Sequence, residues 1–222
     1  SVESDRVGNL TNYGSINGVG DRSTAVHLGG STTGNVNLLG SIKATGEGTM
    51  GIDVQGDVDG RFNVQGTVIS TGYRYTTRPG NKPETGALNG YVSYENLDAD
   101  DLLQGGPAVN VSANLTQGLL LDSGPTYGSG GIDGDDDGDG VKNGDADDDG
   151  DGIKNREDPD RDGDGLTDAN EGRASVTSYG GAPAIQIGSA TRDIDLGVTG
   201  TGDNAYGIVN RGAIAGIGVY DG

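Results

Sequence analysis

Residues 133–171 read DGDDDGDGVKNGDADDDGDGIKNREDPDRDGDGLTDANE, in which the pattern Asp-x-Asp-x-Asp-Gly occurs three times. The loops begin at Asp135, Asp147 and Asp160, so the pattern recurs after twelve and then thirteen residues. Alternate aspartates put three carboxylates on one side of a tight turn, and Gly at the sixth position permits the bend. This is an oxygen-rich set of the kind Ca²⁺ takes, with about six to eight ligands at flexible geometry. The expected carboxylate ligands are Asp135, Asp137 and Asp139, then Asp147, Asp149 and Asp151, then Asp160, Asp162 and Asp164. The aliphatic residue after each glycine, Val141, Ile153 or Leu166, is expected to offer its backbone carbonyl while its side chain anchors the loop on something apolar. Asn143, Asn155 and Asp168 follow two residues later, and Asp158 and Glu171 take the twelfth position of the second and third loops. The first loop has Ala146 there, with Asp145 beside it.

This stretch holds fifteen Asp and two Glu against four Lys or Arg, which leaves −13 of the chain's net charge of −20. Charge of one sign at this density repels itself and compacts only when something neutralises it. The other reading is a disordered acidic linker, but a random acidic tract does not hold Asp, Gly and an aliphatic residue in phase three times. The three loops resemble the bacterial calcium repeats of the thrombospondin type 3 kind. They resemble an EF-hand less, since that loop puts its aliphatic residue at position eight and is flanked by helices. The resemblance covers residues 133–171 and implies several Ca²⁺ ions, shared between neighbouring loops, in a segment with little regular structure.

The loops must be positioned by a chain of unusual composition. Glycine supplies 45 of 222 residues, hydrophobic residues only 31%, and there is one Phe and no Trp. A thick multilayer core is not expected. There is no cysteine and hence no disulfide frame, so repeat stacking or bound cations must stabilise the fold. No apolar run is long enough to span a bilayer, and no charged start followed by an apolar segment marks a signal peptide in this stretch. An acidic chain without a basic patch is not expected to bind nucleic acid.

An internal repeat supplies the frame. Gly14-Ser15-Ile16, Gly40-Ser41-Ile42 and Gly66-Thr67-Val68 recur every 26 residues; Leu10, Val36 and Phe62 keep the same phase, as do Val26 and Ile52, and Leu28 and Val54. Short alternating segments bounded by glycine read as strands, three to each unit. Strands too short to bury a face alone must stack unit on unit, which predicts an all-β parallel β-helix with corner glycines in backbone conformations closed to other residues. A β-sandwich is the second choice. Asn9, Asn35 and Asn63 suggest a corner ladder, with Asn63 out of phase.

The expected organisation is β-helix over 1–72, a corner insertion over 73–107, a further rung over 108–121, a second insertion over 122–183 that carries the calcium loops, and rungs again over 184–222. The rung at 108 is signalled by Ala108-Val109-Asn110-Val111, which repeats Ala25-Val26-His27-Leu28. The terminal residues 202–216 align by their glycines with residues 46–60.

Stretches such as NVNLLGSIKATGEGTMGIDVQGDV, VISTGYRYTTRP and AYGIVNRGAIAGIGVYDG resemble passenger regions of autotransporter-type surface proteins of Gram-negative, sphingomonad-like bacteria. The resemblance covers most of the chain outside the calcium loops. It implies a long extracellular β-helix at the outer cell surface, exported through an outer-membrane barrel of which no strands are seen here. Both ends fall in mid-pattern, so the expected partners are further segments or other copies of the chain, stacked end to end or laterally, with surface glycans as a second class.

β-Helices also serve as polysaccharide lyases and hydrolases. Glycosidase chemistry needs two carboxylates about 5 to 10 Å apart, and Asp53, Asp57 and Asp59, with Glu47 and Arg61 nearby, are the residues to consider. Their alternation with Val54 and Val58 instead predicts solvent-facing positions. His27, the one histidine, is expected to face outward, and a single histidine without cysteine assembles no zinc constellation. Tyr73, Tyr75, Tyr91 and Tyr94 mark the first insertion as packing or contact surface. The sequence therefore reads as a structural extracellular segment with no enzymatic activity, with a carbohydrate-active enzyme or a glycan- or protein-binding module as alternatives.

Overall fold

The computed structural model describes residues 1–73, 104–200 and 205–218. It is all-β, and every ladder between its named strands is parallel. The chain winds as a parallel β-helix. The first coil holds β1 (Arg6–Val7), β2 (Leu10–Asn12) and β3 (Ile16–Val19); the second holds β4 (Thr24–Leu28), β5 (Thr32–Thr33), β6 (Val36–Leu38) and β7 (Ser41–Thr45). The third repeats the second as β8 (Met50–Val54), β9 (Val58–Asp59), β10 (Phe62–Val64) and β11 (Thr67–Thr71). The fourth is β12 (Val109–Val111), β13 (Leu119–Leu121) and β14 (Ser175–Tyr179), and the fifth β15 (Ile185–Ile187), β16 (Ile208–Asn210) and β17 (Ala213–Ile217).

Each coil thus has four strand positions where the sequence suggested three. The additional one is the two-residue step β1-β5-β9, continued by single bridges from Val58 to Leu115 and from Leu115 to Leu196. Two residues are too few to show an alternating pattern.

Register follows the apolar columns. Ile16 pairs with Ile42 and Ile42 with Val68; Val68 continues to Val176 and Val176 to Ile214. Leu10, Val36, Phe62, Leu119 and Ile208 form a second column. The inward residues of the middle coils, among them Ile42, Ile52, Phe62, Val68 and Leu119, are fully buried. A slip of one residue would turn each column outward, so burial sets the register.

The glycine of the Gly-Ser-Ile repeat is explained by close approach between coils. A methyl group on Gly40 would stand 1.9 Å from the carbonyl oxygen of Gly14, and one on Gly66 2.0 Å from that of Gly40. Here the backbone of the coil below excludes a side chain, whereas the backbone angle suggested by the sequence is found at other corners, at Gly20, Gly34 and Gly46 with φ of 131°, 136° and 146°. Corners are also tied by short polar side chains. Asn9 Oδ1 accepts the backbone N–H of Asn35, and Asn35 Oδ1 that of Arg61, at 2.9 and 3.0 Å. The third member of that column is Arg61, and Asn63 lies within β10 instead.

The chain forms two compact units, one of residues Ser1–Asp122 with Ala174–Gly222 and the other Ser123–Arg173. The second insertion is therefore shorter than 122–183, because Ser175–Tyr179 is a strand of the coil. The C-terminal alignment also shifts: Ile208 lies beside Leu119 rather than in the column of Ile52, and Gly212-Ala213-Ile214 occupies the Gly-Ser-Ile phase. Most of the expected corner insertion, with Tyr75, Tyr91 and Tyr94, lies outside the described residues. Tyr73 donates its hydroxyl to Asp21 Oδ1 at 2.8 Å.

Candidate metal centre

Residues Ser123–Arg173 are three copies of one turn with no strand among residues 124–172. Two single 3₁₀ turns, Gly131–Asp133 and Asp168–Asn170, are the regular elements. Within each loop the first aspartate accepts two backbone N–H groups. Asp135 takes those of Gly138 and Gly140 at 2.8 and 3.0 Å, and Asp147 those of Gly150 and Gly152 at 2.9 and 3.0 Å. Asp160 takes those of Asp164 and Gly165 at 3.1 and 2.9 Å. The third and fifth aspartates each cap the residue two further on. Asp139 accepts from Val141, Asp151 from Ile153 and Asp164 from Leu166, all at 2.7 Å. These turns need left-handed backbone at positions four and six, where Gly138 and Gly140 have φ of 76° and 90°, and Gly150 and Gly152 of 80° and 94°.

The result is convergence of charge. Asp135, Asp137 and Asp139 each bring one carboxylate oxygen within 4.8 Å of the others, and so do Asp147, Asp149 and Asp151. These two exposed clusters can hold a metal ion. A cavity of about 230 Å³ beside the first loop is lined by Tyr127, Asp136, Asp137, Asp139 and Asp148. The third loop is more enclosed, with Asp164 buried. Burial pushes the Asp160 carboxyl above the usual carboxylate range, and the Asp164 and Asp158 charges add to this against the N–H groups of Gly165 and Asp164.

The ninth-position residues are placed as brackets for the loops. Asn143 Oδ1 accepts the N–H of Asp136, Asn155 Oδ1 that of Asp148 and Asp168 Oδ1 that of Arg161, each seven residues back, at 3.0, 3.1 and 3.0 Å. Their own N–H groups donate to the carbonyls of Gly134, Ala146 and Pro159, the residue before each loop. The Asp168 carboxylate is also ion-paired with Arg161, which lies over the Tyr127 ring at 4.3 Å. Spacing alone does not separate a ligand from a bracket, since both need an oxygen at position nine.

The remaining expected ligands divide. Asp158 Oδ1 accepts the N–H of Asp160 at 2.8 Å, while its Oδ2 is buried without a hydrogen-bond partner. Asp145 is drawn instead into ion pairs with Arg156 at 3.3 Å and Lys154 at 3.5 Å. Glu171 lies over Gly124, where a methyl group would meet its Oε2 at 2.7 Å. Val141 and Ile153 are each 42% exposed and Leu166 is half-buried, so the first two do not anchor their loops on an apolar surface as expected. Among the described residues, no hydrophobic side chain of this unit is buried.

The carboxylates weighed for catalysis are engaged elsewhere. Asp53 is buried and hydrogen-bonded to His27, Gln55 and Asn110, which corrects the solvent-facing position expected for it. Asp57 is held by Asn114 and by Arg192, whose Nη2 is 2.6 Å from Oδ1. Burial opposes its charge, but the Asn114 N–H and the Arg192 guanidinium prevail and lower its pKa.

Among the described residues no helix is long and apolar enough to cross a membrane. No family model, curated protein or solved structure is significantly similar to this chain.

Proposed function

We propose that this chain is an extracellular structural segment of a bacterial surface fibre, stalk or adhesin passenger, in which Ca²⁺ orders an acidic insertion carried by a parallel β-helix. The observation that supports calcium most is that Ser123–Arg173 repeats one carboxylate turn three times without burying a hydrophobic side chain. A unit with no apolar core and this charge density needs cations to remain compact. All-oxygen ligands select a hard cation, and flexible turns of exposed aspartates suit Ca²⁺ better than the rigid octahedron of Mg²⁺.

In this reading Asp135, Asp137 and Asp139, then Asp147, Asp149 and Asp151, then Asp160, Asp162 and Asp164 are the principal ligands. The backbone carbonyls of Val141, Ile153 and Leu166 complete the shells, and Asp158 and Glu171 add the twelfth-position oxygens. Extracellular calcium modules bind at about 10⁻⁴ to 10⁻³ M. The loops then fill after export and stay empty in a cytosol poor in calcium. The coil supplies stiffness, and further coils or copies stack on it.

Electron microscopy of the native assembly tests the structural role. Elongated surface structures that lose definition in EDTA support it; an isolated soluble particle that degrades acidic polysaccharide overturns it in favour of a carbohydrate-active enzyme.

A further inference from the structure

The outer face of the sheet containing β4 and β8 carries a second set of metal-type ligands, remote in sequence from the aspartate loops. His27 and Asp53 are register partners on successive coils, and Asn110 follows Asp53 on the next. His27 Nδ1 lies 3.0 Å from Asp53 Oδ2. Asp53 is only 2% exposed, and its oxygens also accept from Gln55 Nε2 and Asn110 Nδ2, each at 2.8 Å. A carboxylate fixed by two amide donors is an acceptor toward the imidazole, so in the neutral tautomer that binds metal Nδ1 carries the proton and Nε2 keeps its lone pair.

That Nε2 is 3.6 Å from Glu3 Oε2 on the preceding coil. Gly29 keeps the space between them clear. A methyl group on Gly29 would stand 2.8 Å from Glu3 Oε2, 3.0 Å from His27 Nε2 and 3.5 Å from the carbonyl oxygen of Val2. Three ligand-type atoms therefore border one point that only a glycine leaves open.

Contrary to the expectation from a single histidine without cysteine, we infer that His27 Nε2 and the Glu3 carboxylate bind a divalent transition ion of the zinc class, with Asp53 fixing the imidazole from behind. Imidazole and carboxylate each bind zinc at about 2.0 to 2.2 Å, so two such ligands on one ion stand roughly 3.3 Å apart at the tetrahedral angle, close to the separation seen. A metal-bound histidine usually donates its other ring N–H to a carboxylate or carbonyl, as His27 does to Asp53. Imidazole selects zinc, copper or nickel over calcium, so this site is chemically separate from the aspartate loops. Water completes the coordination. The inference does not depend on the proposed calcium role.

The chain has one histidine, which makes the test unambiguous. The full chain, saturated with Ca²⁺, is titrated with Zn²⁺ while the ¹⁵N resonances of the imidazole ring are followed. A large shift of Nε2 is expected. Glu3→Gln should weaken the response, Gly29→Ala should weaken it with both ligands still present, and Asp53→Asn should lower the affinity about 10–100-fold. Glu3 is exposed, so its variant folds whatever becomes of the buried Asp53 variant. No imidazole shift on adding Zn²⁺, or a response unchanged in both Glu3→Gln and Gly29→Ala, would reduce the cluster to a plain ion pair.

Discussion

The side-chain oxygen of Asn155 accepts the backbone N–H of Asp148 at 3.1 Å, and its amide nitrogen donates to the backbone carbonyl of Asn143 at 2.6 Å. One buried side chain thus closes its own loop and holds it to the loop before. Asn143 makes the same pair of bonds one loop earlier, to the N–H of Asp136 and the carbonyl of Gly131.

Asn155→Ala should therefore disorder the second loop without removing any of Asp147, Asp149 or Asp151. Asp148 is exposed and Asn143 half-buried, so water replaces part of what is lost and the cost is about 1 kcal/mol for each hydrogen bond removed. Hydrogen exchange should speed up across residues 143–158 while the strands of the coil keep their protection. Exchange that rises in both units alike would contradict this.

Close approach between coils predicts that the same substitution differs with position. Gly40→Ala and Gly66→Ala each drive a methyl group into a backbone carbonyl at 1.9 and 2.0 Å, whereas at Gly14 the nearest atom is Asn12 Oδ1 at 3.8 Å. Overpacking against backbone costs about 1–3 kcal/mol or more, so both should lower the unfolding midpoint. Gly14→Ala should leave it within experimental error. Equal losses at all three would mean that backbone conformation, not contact, selects these glycines.

Among the described residues Phe62 is the largest fully buried side chain, and it sits between Val36 and Leu119 in one column. Phe62→Ala should destabilise the coil by about 3–5 kcal/mol, read from denaturant midpoints at constant calcium. A change below about 1 kcal/mol would show that the column collapses freely around the gap.

Asp57 links coils through Asn114 and Arg192, and its lowered pKa gives the linkage a sign. The folded form holds this carboxylate more strongly ionised than the unfolded chain does. The contribution is therefore complete above the ordinary value of 3.8 and is lost as pH falls through the lower folded value. Both partners are partly exposed, so Arg192→Ala should cost no more than about 1 kcal/mol at neutral pH. The difference from the unsubstituted protein should shrink in acid below that value. A difference that grows in acid would reverse the assignment.

Much of the coil is legible in the sequence. The Gly-Ser-Ile phase gives the true partners Ile16, Ile42 and Val68, and Ala108-Val109-Asn110-Val111 gives the restart after the pattern is interrupted. Legibility fails where glycine is used as the marker. In a chain with 45 glycines they align by chance, which misplaces residues 205–218; the apolar Ile214 identifies the correct phase. Strand β14 escapes because Ala174 stands where the repeat has glycine and the whole unit Ser123–Arg173 comes between it and the strand before.

The candidate site is legible in its carboxylates and less so around them. Alternating aspartates with glycine at the sixth position converge in the first two loops as expected. The bracketing role of Asn143 and Asn155, the capture of Asp145 by Arg156 and the exposure of Val141 depend on which loop lies next to which, and spacing within one loop does not carry that information. The His27 and Asp53 pairing is readable in retrospect, since the two positions are 26 residues apart, one coil.

Calcium-dependent ordering of Ser123–Arg173 is read directly by trypsin. Lys142, Lys154 and Arg156 lie within or between the acidic loops, are exposed and precede no proline. Mass spectrometry of a timed digest, with millimolar Ca²⁺ or with EDTA, locates the cuts. Resistance at these three bonds in calcium, rapid cleavage there in EDTA, and a coil that survives in both is the predicted outcome. Identical cleavage rates at Lys142, Lys154 and Arg156 under the two conditions would contradict it.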